Sequence, residues 1–276
     1  MKVAVLGAGG KMGSTVAQTV IAQPDLKLVA VVDPRLSGIE FEHATGVSGS
    51  GLSISGDISE IVRSGADVVV DFTTAASAFE NLKYCASHGI SAVVGTTGLD
   101  QTKMDELDRA FIDADRGCIV AANFAIGAIL MMRFAEIAAG FFETAEVLEM
   151  HHETKIDAPS GTAIATARRI ASAKLVGGSS FLPDSTENSL FEGARGADVD
   201  GVRVHSMRIR GAIAHQEVVF GTMGQSLSIR HDSYDRSSFM PGVIIAIRGI
   251  QSVRGVMAGI DRLIDDRLSI RSERGE

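Results

Sequence analysis

Up to about residue 124 the chain alternates short, largely apolar runs with longer segments of helical periodicity. The apolar runs lie at residues 2–6, 28–32, 66–72, 90–95 and 118–124, and helical patterns fill 14–20, 75–88 and 101–113. A run that is apolar at consecutive positions through its centre has no solvent face there, so it predicts a strand buried on both sides. Such strands, separated by helices, predict a parallel sheet covered on both faces. Residues 37–56 are rich in Gly and Ser and read as a loop.

After Asn123 the pattern changes. A long helical segment at 125–141 precedes a strand at 145–150, and a helix over 163–170 follows with Ser160 as its N-cap. A loop-rich stretch, 176–200, leads to β runs at 202–209, 215–221 and 226–231, joined by glycine-containing turns. Short strands with few helices between them predict a second α+β domain with a largely antiparallel, mixed sheet. Residues 237–250 are helical again, with Pro241 acceptable in a first helical turn. The expected division is a first domain of 1–124 completed by 237–276, and a second of 125–236.

Composition narrows the class. With 276 residues, 45% hydrophobic and 22% charged, the chain can bury a substantial core as a soluble globular protein. No apolar run approaches the roughly 20 residues needed to span a bilayer, and the opening residues read as a strand with no charged n-region or cleavage site, so secretion is not expected. A cytoplasmic protein without membrane contact is expected. Cys85 and Cys118 stand alone, and no Cys/His group has ligand spacing, so neither a disulfide scaffold nor a metal site is expected. A net charge of −8 weighs against nucleic acid and means that an anionic ligand needs local positive charge.

The first apolar run leads directly into Gly7-Ala8-Gly9-Gly10-Lys11-Met12-Gly13. Glycines at 7, 10 and 13 permit a tight turn, backbone approach to a pyrophosphate, and close helix–strand packing. The spacing is wider than G-x-G-x-x-G, so the string alone is weak. Its setting is stronger. A strand precedes it, a helix follows, and the second strand ends at Asp33, about 20 residues beyond Gly13, where a carboxylate can bind adenosine ribose hydroxyls. The first domain therefore reads as a Rossmann-like dinucleotide-binding sheet. Ligands of such sheets lie beyond the carboxyl ends of the strands. That rim includes residues 72–74, the Gly95-Thr96-Thr97-Gly98 turn and Ala121-Ala122-Asn123-Phe124, which would face the nicotinamide half.

The densest chemistry lies in His151-His152-Glu153-Thr154-Lys155-Ile156-Asp157-Ala158-Pro159-Ser160-Gly161-Thr162. Two imidazoles and an ammonium sit between a strand and a helix start. A helix start offers N–H groups and positive dipole charge to a carboxylate. Imidazoles and an amine beside such a pocket point to proton transfer to a small acidic substrate. The plainer reading is a solvated loop with a helix cap.

Four motifs occur in order: the glycine loop, Val94-Gly95-Thr96-Thr97-Gly98, Ala121-Ala122-Asn123-Phe124, and His151-His152-x-x-Lys155 through Thr162. Together they resemble the 4-hydroxy-tetrahydrodipicolinate reductase family, long called dihydrodipicolinate reductase, over nearly the whole chain. The His-His-x-x-Lys…Ser-Gly-Thr block is the specific part. The resemblance implies NADH or NADPH as reductant, a small dicarboxylate substrate and a homotetramer built through the second domain. It also implies Lys155 as proton donor, His151 as its catalytic companion, and His152, Ser160, Gly161 and Thr162 as substrate-binding residues. Glu153 and Thr154 depart from the family pattern, which often has Arg or Pro and then His there; Glu153 adds a negative charge near a dianionic substrate.

Other classes make different demands. A non-catalytic nucleotide sensor needs the glycine loop and Asp33 but not the His/Lys cluster. A Ser/His hydrolase using Ser160 lacks a G-x-S-x-G elbow. A semialdehyde dehydrogenase needs a thiol nucleophile, whereas Cys118 lies in an apolar run and reads as core.

Overall fold

The computed structural model describes residues 1–96 and 98–273. The chain divides into two compact units, Met1–Phe124 with Phe239–Glu276, and Ala125–Ser238. The first unit holds β1 (Lys2–Leu6), β2 (Lys27–Val32), β3 (Val68–Asp71), β4 (Ser91–Val94), β5 (Gly117–Val120) and, from late in the chain, β11 (Gly255–Ala258). Its helices are α1 (Lys11–Ile21), α2 (Phe41–Thr45), α3 (Glu60–Arg63), α4 (Ala75–Ser87), α5 (Gln101–Asp113), α8 (Met240–Gly249) and α9 (Asp261–Glu273).

The six strands are all parallel, in the order β11-β5-β4-β3-β1-β2. Every residue of β3 and β4 is buried, including Asp71 at the end of β3 and Ser91 at the start of β4, as a sheet covered on both faces requires. From β1 the chain passes through α1 to β2 on one side, then crosses to β3 on the other. The order reverses there, so the carboxyl ends of β1 and β3 open a crevice suited to a ligand. Beside β2 a single parallel bridge, Val32 to Ser55, occupies the place of a further strand.

The second unit holds α6 (Ile126–Ala139), β6 (Thr144–His151), α7 (Gly161–Val176), β7 (Ala197–Val199), β8 (Val202–Arg208), β9 (Ala214–Thr222) and β10 (Gln225–Ser233). Its sheet runs β10-β9-β6-β8-β7. Three neighbour pairs are antiparallel and one, β6 with β8, is parallel. Both α6 and α7 pack on this sheet. Ala145, Val147 and Glu149 alternate as the buried positions of β6.

The expected mixed α/β architecture is the one found, and the differences lie in short elements. The Gly/Ser-rich stretch contains α2, anchored by the fully buried Phe41; one anchor sets no period. Strand β11 spans four residues paired on one side to β5, too few to alternate. Helix α9 is strongly charged and held by Leu263 and Ile264, both buried, so its apolar stripe is too narrow to stand out. Among the described residues no helix is long and apolar enough to cross a membrane.

Candidate active site

In the first unit the crevice is lined by main chain. Gly7 follows β1 with φ +70°, a left-handed conformation that glycine adopts without a Cβ clash. Its carbonyl accepts the Gly10 N–H at 3.0 Å, and Gly10 is the N-cap of α1 without a side chain to cap it. No acidic residue occupies the first turn of α1. The N–H groups of that turn, including those of Lys11 and Met12, are therefore available to an anion. A Cβ on Gly13 would fall 2.1 Å from the Gly7 carbonyl oxygen, so α1 sits directly on the turn. These features fit the diphosphate of a dinucleotide.

Asp33 closes one side of the crevice. A Cβ at Gly9 would lie 2.9 Å from Asp33 Oδ2, so the glycine loop and this carboxylate adjoin. Asp33 is buried and accepts hydrogen bonds from the Arg35 main-chain N–H at 3.1 Å and from Arg35 Nε and Nη2 at 3.3 Å each. On the other side, Asp71 at the end of β3 accepts from the Thr73 N–H at 2.7 Å, the Thr73 hydroxyl at 2.6 Å and Asn81 Nδ2 at 2.8 Å. Burial pushes the Asp71 carboxyl up. Thr96 donates to the Thr73 carbonyl at 2.9 Å, and the Phe72 and Phe124 rings lie 6.0 Å apart, with Gly95 against Phe72. Ala121 is buried, while Ala122 is exposed and Asn123 half-buried at the end of the β5 segment. Thr97 lies outside the described residues.

In the second unit the site is made of side chains. Glu149 and His151 are two residues apart on β6 and so share a face. His151 Nδ1 lies 2.5 Å from Glu149 Oε2. Arg208 of β8 donates through Nη1 to Oε2 and through Nη2 to Oε1, both at 2.9 Å. The Ser160 N–H donates to Oε1 at 3.1 Å. The fully buried Glu149 carboxylate is thus enclosed by donors. Burial works to raise its carboxyl, but Arg208, Ser206 and His151 together hold it below the usual range. Burial pulls the His151 imidazole down; Glu149 opposes this, and the Lys155 and Arg208 charges add to it. Neutral His151 facing an ionised carboxylate must donate its Nδ1–H, which leaves Nε2 as an acceptor.

The loop after β6 carries the remaining groups. Lys155 Nζ donates to both Asp157 oxygens, at 2.7 and 2.8 Å. His152 is exposed, its Nδ1 2.7 Å from the Thr154 hydroxyl. Glu153 faces Arg210 at 3.4 Å, so its negative charge has a cationic neighbour. Ser160 caps α7, its hydroxyl accepting from the Ala163 N–H at 3.2 Å. Nothing lies within 4 Å of the Cβ position at Gly161, which leaves space at the helix start beside Thr162.

Two groups of expected residues are therefore each brought together within one unit: the glycine loop with Asp33 and the β3–β5 rim, and the His/Lys loop with the α7 start. Glu149, Arg208 and Asp71 were not anticipated, and Thr73 was expected only as part of the 72–74 rim. Glu149 was detectable as an acid inside an apolar run, two residues before His151. Arg208 gave no signal, because only the β6–β8 pairing brings it there. Both cysteines are buried, and burial pushes their thiols up, which deprives them of nucleophilic thiolate.

Comparison with known proteins finds relatives over nearly the whole chain. The family described as dihydrodipicolinate reductase, N-terminus, matches residues 1–124, and its C-terminal counterpart matches residues 127–264. A 4-hydroxy-tetrahydrodipicolinate reductase of Corynebacterium aurimucosum is 48% identical, covering 96% of this chain and 98% of its own. One from Nocardia farcinica is 49% identical, covering 96% and 99%. The solved dipicolinate-bound dihydrodipicolinate reductase of Paenisporosarcina sp. TG-14 superposes with a TM-score of 0.83 at 38% identity, covering 95% of this chain and 98% of that one. The chain belongs to the dihydrodipicolinate reductase family.

Proposed function

We propose that the protein is an NAD(P)H-dependent oxidoreductase that reduces 4-hydroxy-tetrahydrodipicolinate, through its dehydrated imine, to tetrahydrodipicolinate in lysine and diaminopimelate biosynthesis. The observation that carries this reading is the β6–α7 loop. It combines a carboxylate-held imidazole, an ammonium and an exposed helix start within twelve residues. The reduced nicotinamide, when bound, supplies the hydride. Gly7, Ala8, Gly9, Gly10, Lys11 and Met12 would hold the diphosphate, Asp33 the ribose, and Gly95, Thr96, Thr97 and residues 121–124 the nicotinamide end.

Lys155 protonates the enamine-like carbon left by hydride addition and regains its proton from water. His151, with Nε2 as acceptor, polarises the substrate or relays that proton. The N–H groups of Gly161 and Thr162 with the Thr162 hydroxyl hold one carboxylate, and His152 and Ser160 complete that site. Asp33 favours the free ribose hydroxyls of NADH and repels a 2′-phosphate. Pro34 brings no charge, but Arg35 is already beside Asp33 and is largely exposed, so NADPH remains usable. The homotetramer would form through the second-unit sheet, whose face away from the buried β6 positions carries Met207 and Val219, both exposed. A cytosolic location suits such an enzyme.

The test is NADH oxidation on adding the product of dihydrodipicolinate synthase, with pyridine-2,6-dicarboxylate as inhibitor. The reading requires turnover and inhibition competitive with substrate. NADH binding without turnover would instead support a nucleotide sensor.

A further inference from the structure

The Glu149 carboxylate takes hydrogen bonds from His151, Arg208, Ser160 and Ser206, and the division of the first three between its two oxygens is informative. Oε2 faces His151 Nδ1 and Arg208 Nη1; Oε1 faces the Ser160 N–H and Arg208 Nη2. One oxygen therefore holds the imidazole and the other holds the residue that caps α7. Arg208 spans both and also reaches the Asp157 carbonyl at 2.5 Å, on the segment joining Lys155 to Ser160. Both ends of the loop converge on one buried anion.

We propose that Glu149 is the positioning residue of this site, fixing His151 as its Nδ1–H tautomer and setting the α7 start where it meets a substrate carboxylate. The inference rests on the reductase reading for its catalytic consequence but not for its geometry. A carboxylate only accepts, so it imposes donation on His151 Nδ1 and keeps Nε2 free to accept. It also stabilises the imidazolium whenever His151 takes up a proton, as an acid behind a catalytic imidazole does. The other charges acting on the ring are Lys155 from the loop and Arg208 from β8, and both oppose protonation. Strand β9 places uncharged Ala214 and Gln216 opposite His151 and Glu149, and α7 begins with uncharged Ser160, Gly161 and Thr162. Glu149 is thus the anion that faces the ring directly.

A glutamine cannot replace it. Its single carbonyl oxygen can serve the donors on one side only, and its amide would face donors on the other. In Glu149→Gln the ring should lose its imposed tautomer and its imidazolium should form only at lower pH.

The experiment follows the His151 ring nitrogens by 15N NMR across pH in the full-length protein. It is paired with calorimetric binding of NADH and of pyridine-2,6-dicarboxylate, and with kcat. In the wild type the neutral ring should carry its proton on Nδ1. In E149Q the titration midpoint should move to lower pH and dicarboxylate binding should weaken several-fold. NADH affinity should hold, and kcat should fall at least about tenfold, part of the 10²–10⁴ that positioned acid–base groups supply. A wild-type ring protonated on Nε2 would overturn the proposal even if E149Q failed to fold. So would a folded E149Q with unchanged tautomer and midpoint. Absence of turnover in the wild type would count against the reductase reading alone, because the ring measurement does not depend on activity.

Discussion

The two candidate sites are built from different materials. In the first unit the ligand-facing surface is mostly backbone: a glycine turn, an uncapped helix start and strand ends, with the Asp33 side chain held beside it by Arg35. In the second unit it is mostly side chains, with His151 and Arg208 held on Glu149 and Lys155 held on Asp157 by short polar contacts. A backbone site recognises what dinucleotides share and depends on close approach. A side-chain site depends on which proton sits where. Removing side chains should therefore damage the second site, whereas adding atoms should damage the first.

The largest expected effect tests the side-chain half. Lys155→Ala should lower kcat by at least about 10²-fold, the lower end for a positioned general acid, while calorimetric NADH affinity stays near wild type. A wild-type kcat would remove Lys155 from the mechanism. The opposite change tests the backbone half. Gly13→Val places atoms against the Gly7 carbonyl, and overpacking of this kind costs about 1–3 kcal/mol. NADH binding should weaken by roughly tenfold or more, with dicarboxylate binding to the second unit unaffected. If NADH affinity is unchanged, α1 is not seated as described.

Smaller effects sharpen the contrast. Thr162→Val removes one hydroxyl from the α7 start, a loss of about 1 kcal/mol. The inhibition constant for pyridine-2,6-dicarboxylate should rise roughly fivefold, while the helix N–H groups keep binding partly intact. An unchanged constant would move the carboxylate elsewhere. Smallest is the cofactor ratio. With Arg35 held on Asp33, kcat/KM should favour NADH over NADPH by less than about tenfold, under 1.4 kcal/mol. A ratio favouring NADPH by that amount would mean that Arg35 or Lys11 outweighs the carboxylate.

The same contrast explains what was legible in the sequence. The strands β1 to β5 were readable because burial on both faces forces continuous apolar runs. The His/Lys loop was readable because its chemistry lies within twelve consecutive residues. The glycine loop needed its flanking strand and helix to gain meaning, since its spacing is irregular. Arg208 was not readable at all. It reaches Glu149 because β8 lies parallel to β6, a pairing that antiparallel expectations do not supply. Asp71 and Thr73 form a local turn whose role appears only when Gly7 and Thr96 are seen beside it. Contacts made within an element or a loop are written in the string; those made by strand order are not.

The central claim is that the backbone-lined site delivers hydride to a substrate held by the side-chain site. It is tested most directly by supplying 4-deuterated NADH, labelled at the transferable position, with the enzymatically generated imine precursor, and analysing the product by mass spectrometry. The account predicts tetrahydrodipicolinate carrying one deuterium per NADH consumed, with formation abolished by pyridine-2,6-dicarboxylate. NADH consumption without label in the product, or no consumption by protein that binds both NADH and the dicarboxylate, would contradict it.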